Sequence, residues 1–98
     1  MMNLVDAAAM TGGRTSGGNP ALAGVSTDTR ALRSGDLFVA LRGERFDGHT
    51  FLAQAKGAGA SAAMVDRRHQ GEFPLPVVVV EDTKLALGDL ARQWRAQP

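Results

Sequence analysis

The chain has 98 residues, a length that fits one domain. Apolar residues make up 44% of it, which indicates a globular chain and not a disordered one. Eleven basic and ten acidic side chains give a net charge of +1, without the basic excess of a dedicated nucleic-acid-binding domain. The sequence has no cysteine, so disulfide frameworks and thiolate metal sites are excluded.

The hydrophobic pattern argues against a membrane protein. The uninterrupted apolar runs, such as Leu37–Leu41 and Val77–Val80, are far shorter than the roughly 18 residues of a membrane span. The first six residues have no basic segment and include Asp6, so they do not resemble a secretion signal. Together these features predict a cytoplasmic location with no membrane partner.

The first predicted element is a short helix at residues 3–11, where apolar residues recur at helical spacing before Gly12-Gly13. Residues 12–20 are rich in turn formers and indicate a loop, with room for a short edge strand around Arg14-Thr15. The glycine spacing matches part of a phosphate-binding loop, but Gly18 stands where that motif needs its lysine. We therefore interpret the segment as a flexible turn.

The following segments predict strands and helices in alternation. Strands are expected at residues 24–30, 36–41, 60–65 and 77–80, and a helix at about 48–58 lies between the second and the third. The last helix begins at Asp82 or Thr83 and carries an apolar stripe of Leu87, Leu90, Ala91 and Trp94, with tight packing expected at Gly88. This order predicts an α/β fold, a small mixed β-sheet with helices packed on it and at least one parallel βαβ crossover.

Two loops gather the polar side chains that suit ligand binding, residues 27–30 and residues 43–49. Together they offer two hydroxyls, two arginines, three carboxylates and one aromatic ring, Phe46. Such a set can surround a polar ring, with Phe46 or an arginine plane stacked on it and an arginine on a phosphate. The structural alternatives are an Asp28–Arg30 pair, a Phe46 tucked into the core, and Asp47 as a helix cap.

The remaining polar residues do not suggest chemistry. No nucleophile, base and orienting acid are spaced as a catalytic set, so no catalytic residue is predicted. His49 and His69 are isolated and lack spaced carboxylates, so no metal site is predicted. The cluster Arg67-Arg68-His69 is best interpreted as a solvated turn between strands, which leaves no predicted nucleic-acid partner.

Several motifs carry a resemblance to a known family. They are Val25-Ser26-Thr27-Asp28-Thr29-Arg30, Ser34-Gly35-Asp36-Leu37-Phe38-Val39-Ala40-Leu41, Gly43-Glu44-Arg45-Phe46-Asp47-Gly48-His49, Gln54-Ala55-Lys56 with Gly59-Ala60, and Asp82-Thr83-Lys84-Leu85-Ala86-Leu87-Gly88-Asp89-Leu90-Ala91. In this order, over residues 22–96, the chain resembles the opening domain of the Mur ligases, bacterial enzymes of peptidoglycan precursor synthesis. The loop at residues 43–47 and the Leu-Ala-Leu-Gly helix favour the MurF group, which adds D-alanyl-D-alanine.

The resemblance implies a role for the chain. Residues 1–98 would be the N-terminal domain of a three-domain ligase, holding the uridine end of UDP-N-acetylmuramoyl-tripeptide. Its substrate-binding residues would be Asp28, Thr29, Arg30, Glu44, Arg45 and Phe46. ATP and Mg²⁺ would serve the parent enzyme in a central domain, and a C-terminal domain would bring the dipeptide. Both domains lie outside this sequence, so the chain alone would bind no cofactor and catalyse no ligation.

Two alternatives stay open at this level. The sister ligases of the MurE group share the Asp-(Ser/Thr)-Arg and Gly-Asp-Leu-Phe-Val-Ala motifs. A stand-alone domain that binds anions or nucleotides could also use this fold without joining a ligase. The acceptor specificity of the whole enzyme distinguishes the MurE group from the MurF group. The reading frame after Pro98 distinguishes a stand-alone domain from a part of a ligase.

Overall fold

The computed structural model describes residues 2–44, 46–69 and 72–96, with side chains through residue 93. The strands are β1 (Met2–Asn3), β2 (Arg14–Ser16), β3 (Ala21–Leu22), β4 (Gly24–Ser26), β5 (Asp36–Val39), β6 (Ala62–Asp66) and β7 (Val77–Val80). The helices are α1 (Leu4–Thr11), α2 (Leu52–Gly57) and α3 (Thr83–Ala96), and a 3₁₀ turn at Gly48–Phe51 leads into α2. None of the helices in these ranges combines the length and apolarity that crossing a membrane requires.

The main sheet has five strands in the order β2-β7-β6-β5-β4. The strands β4 to β7 run parallel, and β2 adds an antiparallel edge next to β7. The 3₁₀ turn and α2 connect β5 to β6, which is the predicted parallel crossover. The carboxyl ends of β4 to β7 therefore lie along one border of the sheet, named here the carboxyl edge. The predicted α/β fold with a mixed sheet is confirmed.

Both faces of the sheet are covered, because successive strand residues point to opposite sides. On β5, Leu37 and Val39 pack in the cluster that holds α1 and α3, whereas Phe38 packs in the cluster that holds α2, together with Ala40 just after the strand. The continuous burial of β5 agrees with its apolar run without alternation. This sandwich of helices and sheet fixes the strand ends from which the polar loops emerge.

Some predicted boundaries differ from the structure. The predicted strand at residues 24–30 ends at Ser26, and residues 27–30 form a turn instead. The loop expected at 12–20 contains β2, which pairs with β7 from Arg14 to Ser16, so the short edge strand allowed around Arg14-Thr15 is present. A two-stranded pairing of β1 with β3 had no signal in the sequence, because two residues are too short for alternation.

The last helix is capped as predicted, and Leu87 and Leu90 of the predicted stripe do pack on the core. The carboxylate of Asp82 accepts hydrogen bonds from the backbone of Lys84 at 2.9 Å and of Leu85 at 3.1 Å. The buried apolar face of α3 includes Ala86 and Leu90. Ala91, predicted on the stripe, is exposed, and the side chain of Trp94 lies outside the described part of the chain.

The tight packing predicted at Gly88 is wrong, since a methyl group there would meet no atom within 4 Å. Gly88→Ala is therefore expected to raise the free energy of unfolding by about 0.5–1 kcal/mol, because alanine loses less backbone entropy in a helix. Urea unfolding measures the change. Gly13→Ala is the control: its methyl group would lie 2.8 Å from the Val79 carbonyl oxygen, so it should destabilise. Equal or lower stability of Gly88→Ala would contradict the packing described for α3.

Candidate functional site

An open pocket of about 390 Å³ lies at the carboxyl edge, next to the ends of β4 and β5. Its walls are the turn after β4, the loop after β5 and the beginning of α2. The lining residues are Thr27, Asp28, Thr29, Arg30, Phe38, Phe46, Gly48, Phe51 and Gln54. We name it the edge pocket. Its size is within the range of small-molecule sites, and hydroxyl, amide and charged groups stand beside aromatic rings, as ligand orientation requires.

The turn at residues 27–30 is shaped by its own side chains. The Ser26 hydroxyl donates to the Asp28 carbonyl oxygen at 2.9 Å, and Asp28 Oδ1 accepts the Arg30 backbone N–H at 2.8 Å. The Arg30 guanidinium donates two parallel hydrogen bonds to the Asp28 carboxylate, each 3.2 Å long. The Asp28–Arg30 pair, considered above as a structural alternative to ligand binding, is thus present. These bonds lower the pKa of Asp28 and raise that of Arg30, and they hold the exposed guanidinium plane at the pocket rim.

Aromatic rings form the other side of the edge pocket. Phe46 is 55% exposed, so the alternative that placed it in the core as a helix staple is wrong. Its ring packs over Gly43, where an added Cβ would lie 2.8 Å from two ring carbons. The Gly43 N–H also donates to the Phe46 carbonyl oxygen at 2.8 Å. The loop therefore presents the ring to solvent on a constrained backbone, which favours stacking against a planar ligand.

The structure brings together four of the six predicted site residues. Asp28, Thr29, Arg30 and Phe46 line the edge pocket. Glu44 is exposed in the same loop but is not among the lining residues, and Arg45 lies outside the described residues. The role of all six in binding substrate stays a prediction.

The sequence interpretation missed Phe51 and Gln54 as lining residues. Phe51 falls inside the helix predicted at about 48–58, where an apolar residue is expected to face the core, yet 38% of it is exposed. The available signal was their spacing: positions 51 and 54 share one helix face, directly after the loop that carries Phe46.

A cluster of four polar side chains, named here the Asp66 cluster, fastens this loop to the end of β6. Its members are Arg42, Asp47, His49 and Asp66. The Asp66 carboxylate accepts two hydrogen bonds from Arg42, one of them 3.0 Å long to Oδ1, and Arg42 Nη1 donates to Asp47 at 2.8 Å. The Arg42 hydrogen bonds lower the pKa of Asp66 to about 2.

His49 links the members of this cluster. Its Nδ1 lies 2.6 Å from Asp47 Oδ1, and the Asp66 backbone N–H donates to its Nε2 at 3.0 Å. Asp47 also accepts the His49 backbone N–H at 2.9 Å, which confirms the predicted helix cap. The two histidines, treated as isolated in the sequence, stack with their ring centroids 4.9 Å apart. Long-range partners of this kind have no signal in residue spacing.

The turn after β6 carries the basic residues Arg67 and Arg68, which the sequence predicts to be exposed to solvent. Arg67 and Arg68 are exposed, as predicted, and each lies near a carboxylate, with Arg67 Nη2 at 3.3 Å from Glu81 and Arg68 Nη2 at 3.7 Å from Asp66. Neighbouring carboxylates offset the local positive charge. This pattern does not suit a phosphate backbone, which selects uncompensated basic patches.

The glycine-rich segment does not fit the phosphates of ATP. Gly17 and Gly18 adopt positive φ values of 90° and 134° in the turn after β2, where they lie against Pro76. A phosphate-binding loop instead joins a strand to the beginning of a helix and supplies a lysine. The edge strand β2 occupies the middle of this segment, so no step that uses ATP is assigned to it.

Comparisons with known proteins agree with this fold. The model of the Mur ligase family, catalytic domain, matches residues 21–95. The chain is 49% identical over 85 residues to the UDP-N-acetylmuramoyl-tripeptide--D-alanyl-D-alanine ligase of Escherichia coli (strain K12), covering 87% of this chain and 18% of the relative. It is 39% identical over 75 residues to the UDP-N-acetylmuramoyl-L-alanyl-D-glutamate--2,6-diaminopimelate ligase of Aquifex aeolicus (strain VF5), covering 76% and 15%.

Solved structures show the same similarity. A crystal structure of MurF from Acinetobacter baumannii matches with a TM-score of 0.79 and 33% identity, covering 99% of this chain and 22% of that one. The MurF ligase of Thermotoga maritima in complex with ADP matches with a TM-score of 0.59 and 35% identity, over 70% and 16%. The chain thus spans about a fifth of the length of its MurF relatives, as the 18% and 22% coverages show. Because the family model matches residues 21–95, more than half of the chain, the chain belongs to the Mur ligase family.

Proposed function

We propose that this chain is the substrate-binding domain of a ligase that adds D-alanyl-D-alanine to UDP-N-acetylmuramoyl-tripeptide, and that the edge pocket holds the uridine. The observation that carries the proposal is the juxtaposition of residues 28–30 with Phe46 around one open pocket. The names of the MurF relatives supply the substrate class. In this proposal residues 1–98 form the N-terminal domain of a cytoplasmic enzyme of peptidoglycan synthesis.

The pocket suggests a division of roles. Phe46 stacks on the base, and the Thr29 hydroxyl bonds to the uridine. Arg30, fixed by Asp28, faces the phosphate side with its charge. Glu44 and Arg45 belong to the same proposed site as residues of the loop that carries Phe46. Each contact is made far from the substrate carboxylate that reacts, so the energy of binding uridine serves to orient the remote reacting end.

The chemistry of ligation belongs to the rest of the parent enzyme in this proposal. ATP with Mg²⁺ would activate the substrate carboxylate there, and the Thermotoga relative, whose structure contains ADP, supports the nucleotide. The central and C-terminal domains are the proposed partners of this chain. No catalytic step is assigned to any of its 98 residues.

The second candidate is a ligase of the MurE group, because a diaminopimelate ligase is among the relatives at 39% identity. Both candidates use a UDP-linked substrate, so the edge pocket does not separate them. The acceptor distinguishes the two candidates, because the whole enzyme would join either a dipeptide or a single amino acid to its UDP-linked substrate. An assay with both acceptors decides between the candidates.

Thr29→Val is expected to weaken binding of UMP by roughly 2- to 12-fold, the value of one hydrogen bond of about 0.5–1.5 kcal/mol. The unsubstituted chain should bind UMP with a Kd on the order of millimolar, about −4 kcal/mol, since UMP lacks the sugar and peptide of the substrate. NMR titration of both proteins measures the change. Thr15→Val, an exposed threonine of β2 outside the pocket lining, is the matched control. A lower melting temperature with an unchanged Kd would mean that Thr29 only braces its turn.

A further inference from the structure

We propose that His49 is a positioning residue, which holds the loop at residues 42–48 in place so that Phe46 and Gly48 wall the edge pocket. It acts by tethering the 3₁₀ turn before α2 to the end of β6 and does not touch the ligand. The inference rests on the proposed function for its ligand, because uridine binding is its readout.

The hydrogen bonds of His49 define one protonation state of the ring. The Asp66 backbone N–H donates to Nε2 at 3.0 Å, so Nε2 carries a lone pair and no proton. The proton is then on Nδ1, which donates to Asp47 Oδ1 at 2.6 Å. A neutral imidazole with this tautomer uses both nitrogens, and its side chain is fully buried.

Local hydrogen bonds give the loop its shape but do not attach it to β6. The Gly43 N–H donates to the Phe46 carbonyl oxygen at 2.8 Å, and the Gly48 N–H donates to the Leu41 carbonyl oxygen at 2.7 Å. Both connect the loop with itself or with the end of β5. Among the described residues of the loop, the side-chain hydrogen bonds to the end of β6 go through Asp66, which binds the Arg42 side chain and the His49 ring. Arg42 is partly exposed, whereas His49 is buried, so water competes less for the His49 bond.

The charged and titratable surroundings of His49 belong to three segments. Asp47 lies in its own loop, and Arg42 from the same loop pairs with Asp47. From the end of β6, Asp66 Oδ2 lies 3.7 Å from Nε2. His69, in the following turn, stacks on the ring. The imidazole therefore connects the pocket loop with the end of β6 and with the turn beyond it. A side chain that only fills the core would not make these connections.

Two substitutions separate the bonds of His49. Asparagine reaches Asp47 from the place of Nδ1 but leaves the Asp66 N–H without a partner. Glutamine places an oxygen where Nε2 was and restores that acceptor. We expect His49→Asn to weaken UMP binding about tenfold and His49→Gln to return it to within about threefold of the unsubstituted chain. In the Asn variant, UMP should still shift the resonances of residues 27–30, whereas those of Phe46 and Gly48 should lose most of their response.

Controls distinguish positioning from general destabilisation. Leu90→Ala lowers stability from the opposite face of the sheet, so below its melting temperature it should bind UMP like the unsubstituted chain. Amide hydrogen exchange at Gly43 and Gly48 needs no ligand and should accelerate in His49→Asn but not in His49→Gln. Unchanged affinity and unchanged exchange in a folded His49→Asn protein would overturn the inference. If that variant does not fold, a Kd for His49→Gln weakened more than threefold would overturn it instead.

The proposed function fails separately. If UMP shifts no resonance of the pocket in the unsubstituted chain, uridine is not the ligand. The exchange rates of Gly43 and Gly48 still decide whether His49 tethers the loop.

Discussion

Leu90→Ala is expected to lower the free energy of unfolding by roughly 2–5 kcal/mol. Leu90 is fully buried where α3 packs against α1 and the sheet, in one cluster with Leu4 and Val78. Truncation removes apolar contacts and leaves a cavity that surrounding helices and strands cannot fill without moving. Urea denaturation followed by circular dichroism gives the change from the shift of the midpoint at constant slope.

Leu85→Ala is the matched control for this result. Leu85 is on the same helix but 69% exposed, so its truncation should change stability by no more than about 0.5 kcal/mol. A small chain has few core residues to spare, since stability is about 5–15 kcal/mol in typical domains. If the melts of Leu90→Ala and the unsubstituted chain coincide, α3 does not contribute to the core as described.

Acid is expected to remove about 2 kcal/mol of stability through Asp66. Its pKa is lowered from 3.8 to about 2, chiefly by the hydrogen bonds from Arg42, while the same carboxyl in the unfolded chain keeps the ordinary value. The unfolded chain therefore binds this proton more tightly than the folded chain. The contribution is complete above about pH 5 and is lost as the pH falls through 4 to 2.

Comparing Asp66→Asn with the unsubstituted chain tests this contribution of Asp66 to stability. The asparagine cannot titrate, so the gap in unfolding free energy between the two proteins should shrink by about 2 kcal/mol from pH 5 to pH 2. Asp28→Asn is the control: its pKa is also lowered by an arginine, but the pair is exposed to solvent, so its gap should change less. A gap for Asp66→Asn that is constant with pH would contradict the ion pairing described for the Asp66 cluster.

Much of the fold follows from local pattern in the sequence. The unbroken apolar run at Leu37–Leu41 predicted strand β5, and Gly12-Gly13 marked the end of α1. The exact end of β4 did not follow, because Thr27 and Thr29 favour a strand by propensity. In the structure, hydrogen bonds among Ser26, Asp28 and Arg30 outweigh that propensity and make a turn.

The sequence predicted the features of the candidate site that lie within one loop, but not the contacts between residues far apart in the chain. Residues 28–30 and Phe46 stood out because polar loops followed buried strands. The contacts that attach the loop to β6 gave no signal in the sequence, because Asp66 lies 24 positions from Arg42 and 17 from His49. The parallel alignment of β5 with β6 brings these residues together. Exposure of Phe46 was likewise undecided by sequence, since an aromatic next to a helix start suits both a staple and a ligand contact.

The central claim is that the edge pocket binds uridine, and an NMR titration of the chain with UMP tests it most directly. We expect the largest shifts at residues 27–30, Phe46, Gly48 and Gln54, saturating with a Kd on the order of millimolar. Ribose 5-phosphate serves as the control that lacks the base and should bind more weakly. Shifts confined to Arg67, Arg68 and His69 would indicate a nonspecific basic surface and contradict the assignment of the pocket.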